Sequence, residues 1–83
     1  MKDLNRIKVV LAEKKRTNKW LAEQLGKNTT TVSKWCTNTS QPDLYTLEQI
    51  AQLLEVDAKD LLISTRDDVM YITVPKQQIP KQQ

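Results

Sequence analysis

The sequence predicts an all-α domain of five short helices over residues 1–65, followed by a short C-terminal extended tail over residues 66–83. Apolar residues recur at helical spacing in five segments. The intervening loops are two to six residues long, as is usual between packed helices. Residues that favour helix N-termini precede four of the segments: Thr17, Asn28, Asp43 and Asp57. A chain of 83 residues has room for one such domain and little more.

Each helix is located by its apolar stripe and its ends. The first is predicted over residues 4–15, the second from Thr17 to Gly26, and the third from Thr29. Residues 37–42 form a loop by composition, the fourth helix follows Asp43, and the fifth follows Asp57. The residues expected to form the apolar faces are Leu4, Ile7, Val10, Leu11, Trp20, Leu21, Ala22, Leu25, Val32, Trp35, Cys36, Leu44, Leu47, Ile50, Ala51, Leu54, Leu61 and Leu62.

The tail has a different composition. Residues 69–74 are rich in β-branched and aromatic side chains and stop at Pro75, which predicts a strand. Because a lone strand is not stable, we expect it either to pair with the same strand of a second subunit or to lie extended against the helices. Residues 76–83 are polar and are expected to be disordered.

The composition excludes most catalytic chemistry. The chain has no His, one Cys and one Gly, which removes imidazole-based catalysis, zinc sites, an intramolecular disulfide and glycine-rich phosphate loops. We therefore expect no enzymatic activity, no cofactor and no metal. The longest apolar run, residues 9–12, is too short to span a membrane, and the N-terminus lacks the pattern of a signal peptide. A cytoplasmic location without membrane association is expected.

The net charge of +3 is divided unevenly along the chain. Residues 1–40 contain nine basic and three acidic side chains, whereas residues 41–68 contain two basic and seven acidic ones. A basic half on a nearly neutral protein is typical of a surface that binds a polyanion. The alternative interpretation of each charge run is a solvated helix face.

The second and third helices have the spacing of a helix-turn-helix. Both are about eight residues long and are joined by a tight turn. Ala22 is small where two helices cross closely, Gly26 permits a positive φ, and Val32 lies six residues beyond that glycine. In such a motif the second helix enters the major groove of DNA. Antiparallel helix pairs joined at a glycine are also common outside DNA-binding proteins.

The sequence resembles the Cro/phage-repressor type of helix-turn-helix protein, the XRE family, from about residue 4 to residue 63. The segments that carry the resemblance are WLAEQLG at residues 20–26, TVSKW at residues 31–35, and Pro42, Leu47, Ile50, Ala51, Leu54, Val56, Leu61 and Leu62. The resemblance implies a five-helix lambda-repressor-like fold that binds DNA. The family usually has Glu and Gly where this sequence has Cys36 and Asn38.

The candidate base contacts lie on the third helix, on the face opposite Val32 and Trp35: Thr29, Thr30, Ser33 and Lys34. The resemblance implies base reading for Thr29, Thr30 and Lys34. A lysine can donate to guanine O6 and N7, and a threonine methyl can pack on a thymine methyl. The alternative is that the threonines merely begin a helix.

The candidate phosphate contacts flank that helix: Asn18, Lys19, Lys27, Asn28, Thr37, Asn38 and Thr39. For Asn18 the role is implied by the resemblance, which places it at the first turn of the second helix. The two tryptophans are assigned to packing rather than to base stacking, with Trp35 in the core and Trp20 packed or half exposed. Cys36 is expected to be a small buried apolar residue.

Two functions follow as hypotheses. The first is a sequence-specific, double-stranded DNA-binding transcriptional regulator, with repression as the expected effect, that acts as a homodimer on a pseudo-palindromic operator. The fourth and fifth helices and the strand at residues 69–74 are candidates for its dimer surface. The second is an antitoxin-like or adaptor module that captures a protein partner, such as a toxin, by β-augmentation through that strand.

Overall fold

The computed structural model describes residues 3–65, which form four α-helices and one 3₁₀ helix. The helices are α1 (Ile7–Glu13), α2 (Asn18–Leu25), α3 (Thr29–Cys36) and α4 (Leu44–Leu54), and the 3₁₀ helix is Ala58–Leu61. The predicted all-α fold class is confirmed. The count of five α-helices is wrong by one, because the fifth segment forms only a single 3₁₀ turn. The predicted strand at residues 69–74 lies outside the described residues.

The first helix is shorter than predicted because the residues before it are extended. Asn5 forms an isolated antiparallel bridge with Leu62, and the Ile63 N–H donates to the Leu4 carbonyl at 2.9 Å. The Asn5 side chain then accepts a hydrogen bond from the Ile7 N–H at 3.0 Å, so α1 starts at Ile7. Backbone hydrogen bonds therefore connect the N-terminal segment to the residues that follow the 3₁₀ helix.

The predicted helix caps are present at three N-termini. In each case a side-chain oxygen accepts a hydrogen bond from the backbone N–H three residues ahead, which satisfies a donor that the helix itself leaves unpaired. The pairs are Thr17 with Trp20 at 3.0 Å, Asn28 with Thr31 at 2.9 Å, and Asp43 with Thr46 at 2.8 Å. Gly26 ends α2 with φ of 68°, a left-handed conformation that glycine adopts without strain.

One apolar core joins the five helical segments. Its buried members are Ile7, Val10, Leu11, Leu21, Ala22, Val32, Trp35, Cys36, Leu47, Ile50, Ala51, Leu54 and Leu61. Three residues expected on apolar faces are instead exposed: Leu4, Leu44 and Leu62. Leu62 forms the bridge with Asn5, Leu4 lies next to it, and Leu44 is the first residue of α4. Within residues 3–65 no helix is long and apolar enough to cross a membrane.

The cap of α4 generates a prediction about pH. Hydrogen bonds from the Thr46 backbone N–H and hydroxyl hold the pKa of the Asp43 carboxyl below its ordinary value. A carboxyl whose pKa is lowered on folding stabilises the native state above its unfolded pKa of about 3.9, and this contribution is lost as the pH falls through the folded value. Asp43→Asn should keep the cap acceptor but remove this acid-sensitive part of the stability. Urea unfolding at neutral pH and at about pH 3 measures the difference between the variant and the wild type.

Thr17→Ala is the matched control, because it removes a cap whose acceptor does not titrate. It should lower the free energy of unfolding by about 1 kcal/mol at both pH values. Equal acid sensitivity of the Asp43→Asn variant and the wild type would show that the Asp43 charge contributes nothing.

Candidate nucleic-acid interface

The outward face of α3 is set by its three buried residues. Val32, Trp35 and Cys36 are inserted in the core, so the side chains half a turn away point to solvent. Thr30 and Lys34 lie at the centre of this outward face, and both are exposed. Thr29 and Thr37 are exposed beside them. The helix contains no acidic residue, so Lys34 gives this face a positive charge.

The turn between α2 and α3 fixes the direction of that face. Ala22 is 2% exposed, and its carbonyl accepts a hydrogen bond from the Lys27 N–H at 2.9 Å. Gly26 supplies the left-handed turn residue. Asn28 then starts α3, because its side chain accepts bonds from both the N–H and the hydroxyl of Thr31. Asn28 is exposed at the turn, but its side-chain oxygen already accepts these two hydrogen bonds.

A small polar cluster links the start of α2 to the inner edge of α3. The Asn18 side-chain NH₂ donates to the Ser33 hydroxyl at 3.3 Å, and the Cys36 thiol donates to the Asn18 side-chain oxygen at 3.3 Å. Burial raises the pKa of the Cys36 thiol, while the charge of Lys8 lowers it by less. A raised pKa keeps the thiol protonated at neutral pH, as a donor must be. Within residues 3–65, the second N–H of the Asn18 amide is left for a further acceptor.

Ser33 lies at the edge of the predicted base-reading face rather than at its centre. Its side chain is half-buried, and its hydroxyl is turned toward Asn18. The Ser33 hydroxyl therefore orients Asn18, a predicted phosphate contact. Ser33 also borders the outward face of α3.

The loop after α3 presents two threonines to solvent. The hydroxyl groups of Thr37 and Thr39 are 2.8 Å apart and share a hydrogen bond, and both residues are exposed. The Thr39 N–H donates to the Lys34 carbonyl at 2.9 Å, which continues the end of α3 into the loop. Two hydroxyl groups are thus held side by side at the C-terminal end of the helix.

Asn38, a predicted phosphate contact, has its side chain turned into the protein. Asn38 is 6% exposed, and its side-chain oxygen accepts hydrogen bonds from the N–H groups of Leu4 and Asn5 at 2.9 Å each. Its NH₂ group donates to the Asn5 carbonyl at 3.1 Å. Sequence analysis could not indicate this inward orientation, because the partners lie more than 30 residues away along the chain.

Asn38, Asn5 and Gln41 together form what we call the amide cluster. The Asn5 NH₂ group donates to the Trp35 carbonyl at 2.9 Å and to the Gln41 side-chain oxygen at 2.6 Å. The Gln41 NH₂ group donates to the Asn38 side-chain oxygen at 3.1 Å. Sequence analysis missed Asn5 and Gln41, because a lone amide in an amphipathic stretch or a polar loop is indistinguishable from a solvated residue.

The remaining predicted phosphate contacts are accessible cations. Lys19 is exposed in the first turn of α2, and Lys27 is exposed in the turn before α3. With Lys34, they give one exposed cation each to α2, the turn and α3.

Both tryptophans are used in packing. Trp35 is 6% exposed in the core, and Trp20 is half-buried against that core. The Arg16 guanidinium carbon lies 4.6 Å from the centre of the Trp20 ring, a cation–π contact. Neither ring is a free platform for base stacking.

Comparison with known proteins agrees with this geometry. Residues 6–67 match the family model of the Cro/C1-type helix-turn-helix DNA-binding domain. The crystal structure of a candidate DNA-binding protein from Bacteroides fragilis is similar, with 62% sequence identity and a TM-score of 0.72; the match covers 72% of this chain and 97% of that chain. Among curated proteins, none matches the chain.

Proposed function

The chain belongs to the Cro/C1-type helix-turn-helix DNA-binding family, and from that premise we propose that it is a sequence-specific transcriptional regulator. It binds double-stranded DNA as a homodimer on a pseudo-palindromic operator and acts as a repressor by occupying that site. The observation that carries the proposal is the solvent face of α3, which presents Thr30 and Lys34 without any acidic side chain.

The proposed base contacts come from that face. Lys34 donates to guanine O6 and N7 in the major groove, and the methyl groups of Thr29 and Thr30 pack on thymine methyl groups. Ser33 contributes at the edge of the groove, where its hydroxyl also accepts the bond from Asn18. Because α3 is anchored by buried side chains on its other face, these groups are held rigidly when DNA binds.

The proposed phosphate contacts lie in three segments: the start of α2, the turn before α3 and the loop after it. Asn18 and Lys19 lie at the N-terminus of α2, where free backbone N–H groups and the helix dipole favour an anion. Lys27 and Asn28 lie in the turn, and the threonine pair of residues 37 and 39 lies in the loop. Contacts of this type fix the register of the protein on the duplex, while the α3 side chains read sequence.

The homodimer is supported by an exposed apolar pair on the first turn of α4. Leu44 and Tyr45 are each 83% exposed, which is unusual for adjacent large apolar side chains in a small domain. We propose the start of α4 as the dimer surface among the sequence-based candidates, which are the fourth and fifth helices and the strand at residues 69–74.

The test of the proposed function is a selection from a randomised duplex pool. Bound duplexes are sequenced, and affinity is measured by fluorescence anisotropy at two salt concentrations. Enrichment of two-fold-related half-sites about 10 bp apart, centre to centre, with affinity that falls steeply with salt, is the expected result. Salt-sensitive binding without an enriched sequence would contradict sequence-specific regulation, and absence of binding at both salt concentrations would contradict DNA binding altogether.

Replacement of Lys34 should change specificity rather than stability. Lys34→Ala removes an exposed side chain, so the free energy of unfolding should change by no more than about 0.5 kcal/mol. Discrimination at one operator position should fall by about 1–3 kcal/mol, because the bidentate contact to guanine is lost. Competition with single-base operator variants measures this loss.

Lys27→Ala is the matched control, since it removes the same charge from the turn. It should weaken binding to all duplexes alike and reduce the salt slope by about one phosphate contact. If the two variants behaved identically, Lys34 would be a phosphate contact and not a base contact.

Replacement of Tyr45 should separate dimerisation from folding. Tyr45→Asp places a charge in the proposed dimer surface, but the side chain is exposed in the single chain, so the helical content should not change. We expect sedimentation equilibrium to show a shift toward monomer, and operator binding to require a higher protein concentration. Gln24→Asp, a change of the same kind at an exposed position of α2, should leave the dimer intact. A Tyr45→Asp protein that still sediments as a dimer would locate the dimer surface elsewhere.

A further inference from the structure

We propose that the amide cluster is a positioning device for the DNA-facing loop, and that Asn38 is its central positioning residue. The inference rests on the proposed function, since it concerns how the loop at residues 37–39 is presented to the DNA backbone. The loop lies between α3 and α4, and its two outward hydroxyl groups belong to Thr37 and Thr39.

The cluster joins three parts of the chain that are distant in sequence. Through Asn38 it holds the backbone N–H groups of the N-terminal segment. Through Asn5 it holds the last turn of α3, at the Trp35 carbonyl. Through Gln41 it holds the approach to α4. Hydrogen bonds therefore hold the loop at both ends and at its centre. They connect it to the N-terminal segment, which itself pairs with Leu62.

The chemistry of the cluster favours a single loop arrangement. Apolar contacts tolerate sliding, whereas hydrogen bonds are directional, and a buried amide that loses its partners is costly. The Asn38 side-chain oxygen accepts three bonds, and both hydrogens of the Asn5 NH₂ group have acceptors. A rotation of the loop would leave several of these buried groups unsatisfied at once, so the cluster opposes any alternative loop conformation.

The backbone of the loop transmits this constraint to the surface. Asn38 has φ of 61°, a left-handed conformation that turns its side chain inward while those of Thr37 and Thr39 point outward. The N–H groups of Thr39 and Ser40 both donate to the Lys34 carbonyl, at 2.9 and 3.3 Å. The inward amide and the outward hydroxyl groups therefore move as one unit with the end of α3.

Replacement of Asn38 by glycine tests the proposal. Asn38→Gly keeps the left-handed backbone and removes the side-chain hydrogen bonds. Because the Asn38 side chain is buried, it cannot contact DNA directly, so any loss of binding arises from the loop. At a temperature well below unfolding, we expect affinity for the selected operator to fall by about tenfold or more. We also expect the salt slope to stay unchanged, because the lost contacts are made by uncharged hydroxyl groups and release no counterions.

Core variants of α4 control for simple loss of stability. Ile50 and Leu54 are buried residues of α4 that lie away from the loop. Ile50→Val and Leu54→Ala destabilise the fold because they remove a buried methyl group or a larger buried group. They should bind the operator with unchanged affinity and salt slope as long as they remain folded. The proposal is overturned if Asn38→Gly binds like the wild type, or if its affinity falls only as much as that of core variants of equal stability.

A second measurement covers the case in which Asn38→Gly fails to fold. Gln41→Ala removes an exposed side chain that bonds to both other members of the cluster. Hydrogen exchange should then accelerate at the Thr39 and Ser40 amides and remain unchanged in α2. Unchanged exchange in the loop would refute the positioning role without reference to DNA. A wild-type protein that fails to bind any duplex would instead refute the proposed function, so the two failures are distinguishable.

Discussion

The burial of Val32 and Trp35 is the constraint on which the arrangement of the interface depends. Both side chains enter the shared core, and this fixes the rotation of α3 about its own axis. A helix eight residues long has little more than two turns, so one buried stripe leaves one opposite stripe free. Thr30 and Lys34 occupy that free stripe. A rotation of α3 that buried Lys34 would desolvate a charge without a partner, which the fold cannot compensate.

The parts of the structure that sequence could predict are those governed by local chemistry. Thr17, Asn28 and Asp43 cap the helices that follow them because each acts on an N–H three residues ahead. The spacing of apolar residues in α3 predicts which of its faces enters the core and which faces the solvent. Gly26 ends α2 because it is the only residue type in the turn that enters the left-handed region freely. These features required no knowledge of distant residues.

The parts that sequence could not predict depend on contacts between distant segments. The apolar spacing predicts that Asn5 belongs to an amphipathic helix, but its pairing with Leu62 and Asn38 keeps residues 4–5 out of α1. Leu44 fits the apolar period of α4, yet the first turn of that helix extends past the core and leaves it 83% exposed. Both errors arise because the spacing of apolar residues predicts which face of a helix is apolar, but not where the elements packed against that face end.

The neutrality of the amide cluster is compatible with its position next to an anion-binding surface. A buried carboxylate near the end of α3 would fasten the loop equally well, but its charge would repel phosphates across a region of low dielectric. Amides supply both donors and acceptors without a net charge, so the cluster adds no negative charge to a protein face that carries the exposed Lys34. Cys36, where the family usually has Glu, likewise adds no charge, because its protonated thiol donates to Asn18. In the last turn of α3 and the loop that follows, the polar groups that orient the interface are thus neutral, and those that face the solvent are neutral or positive.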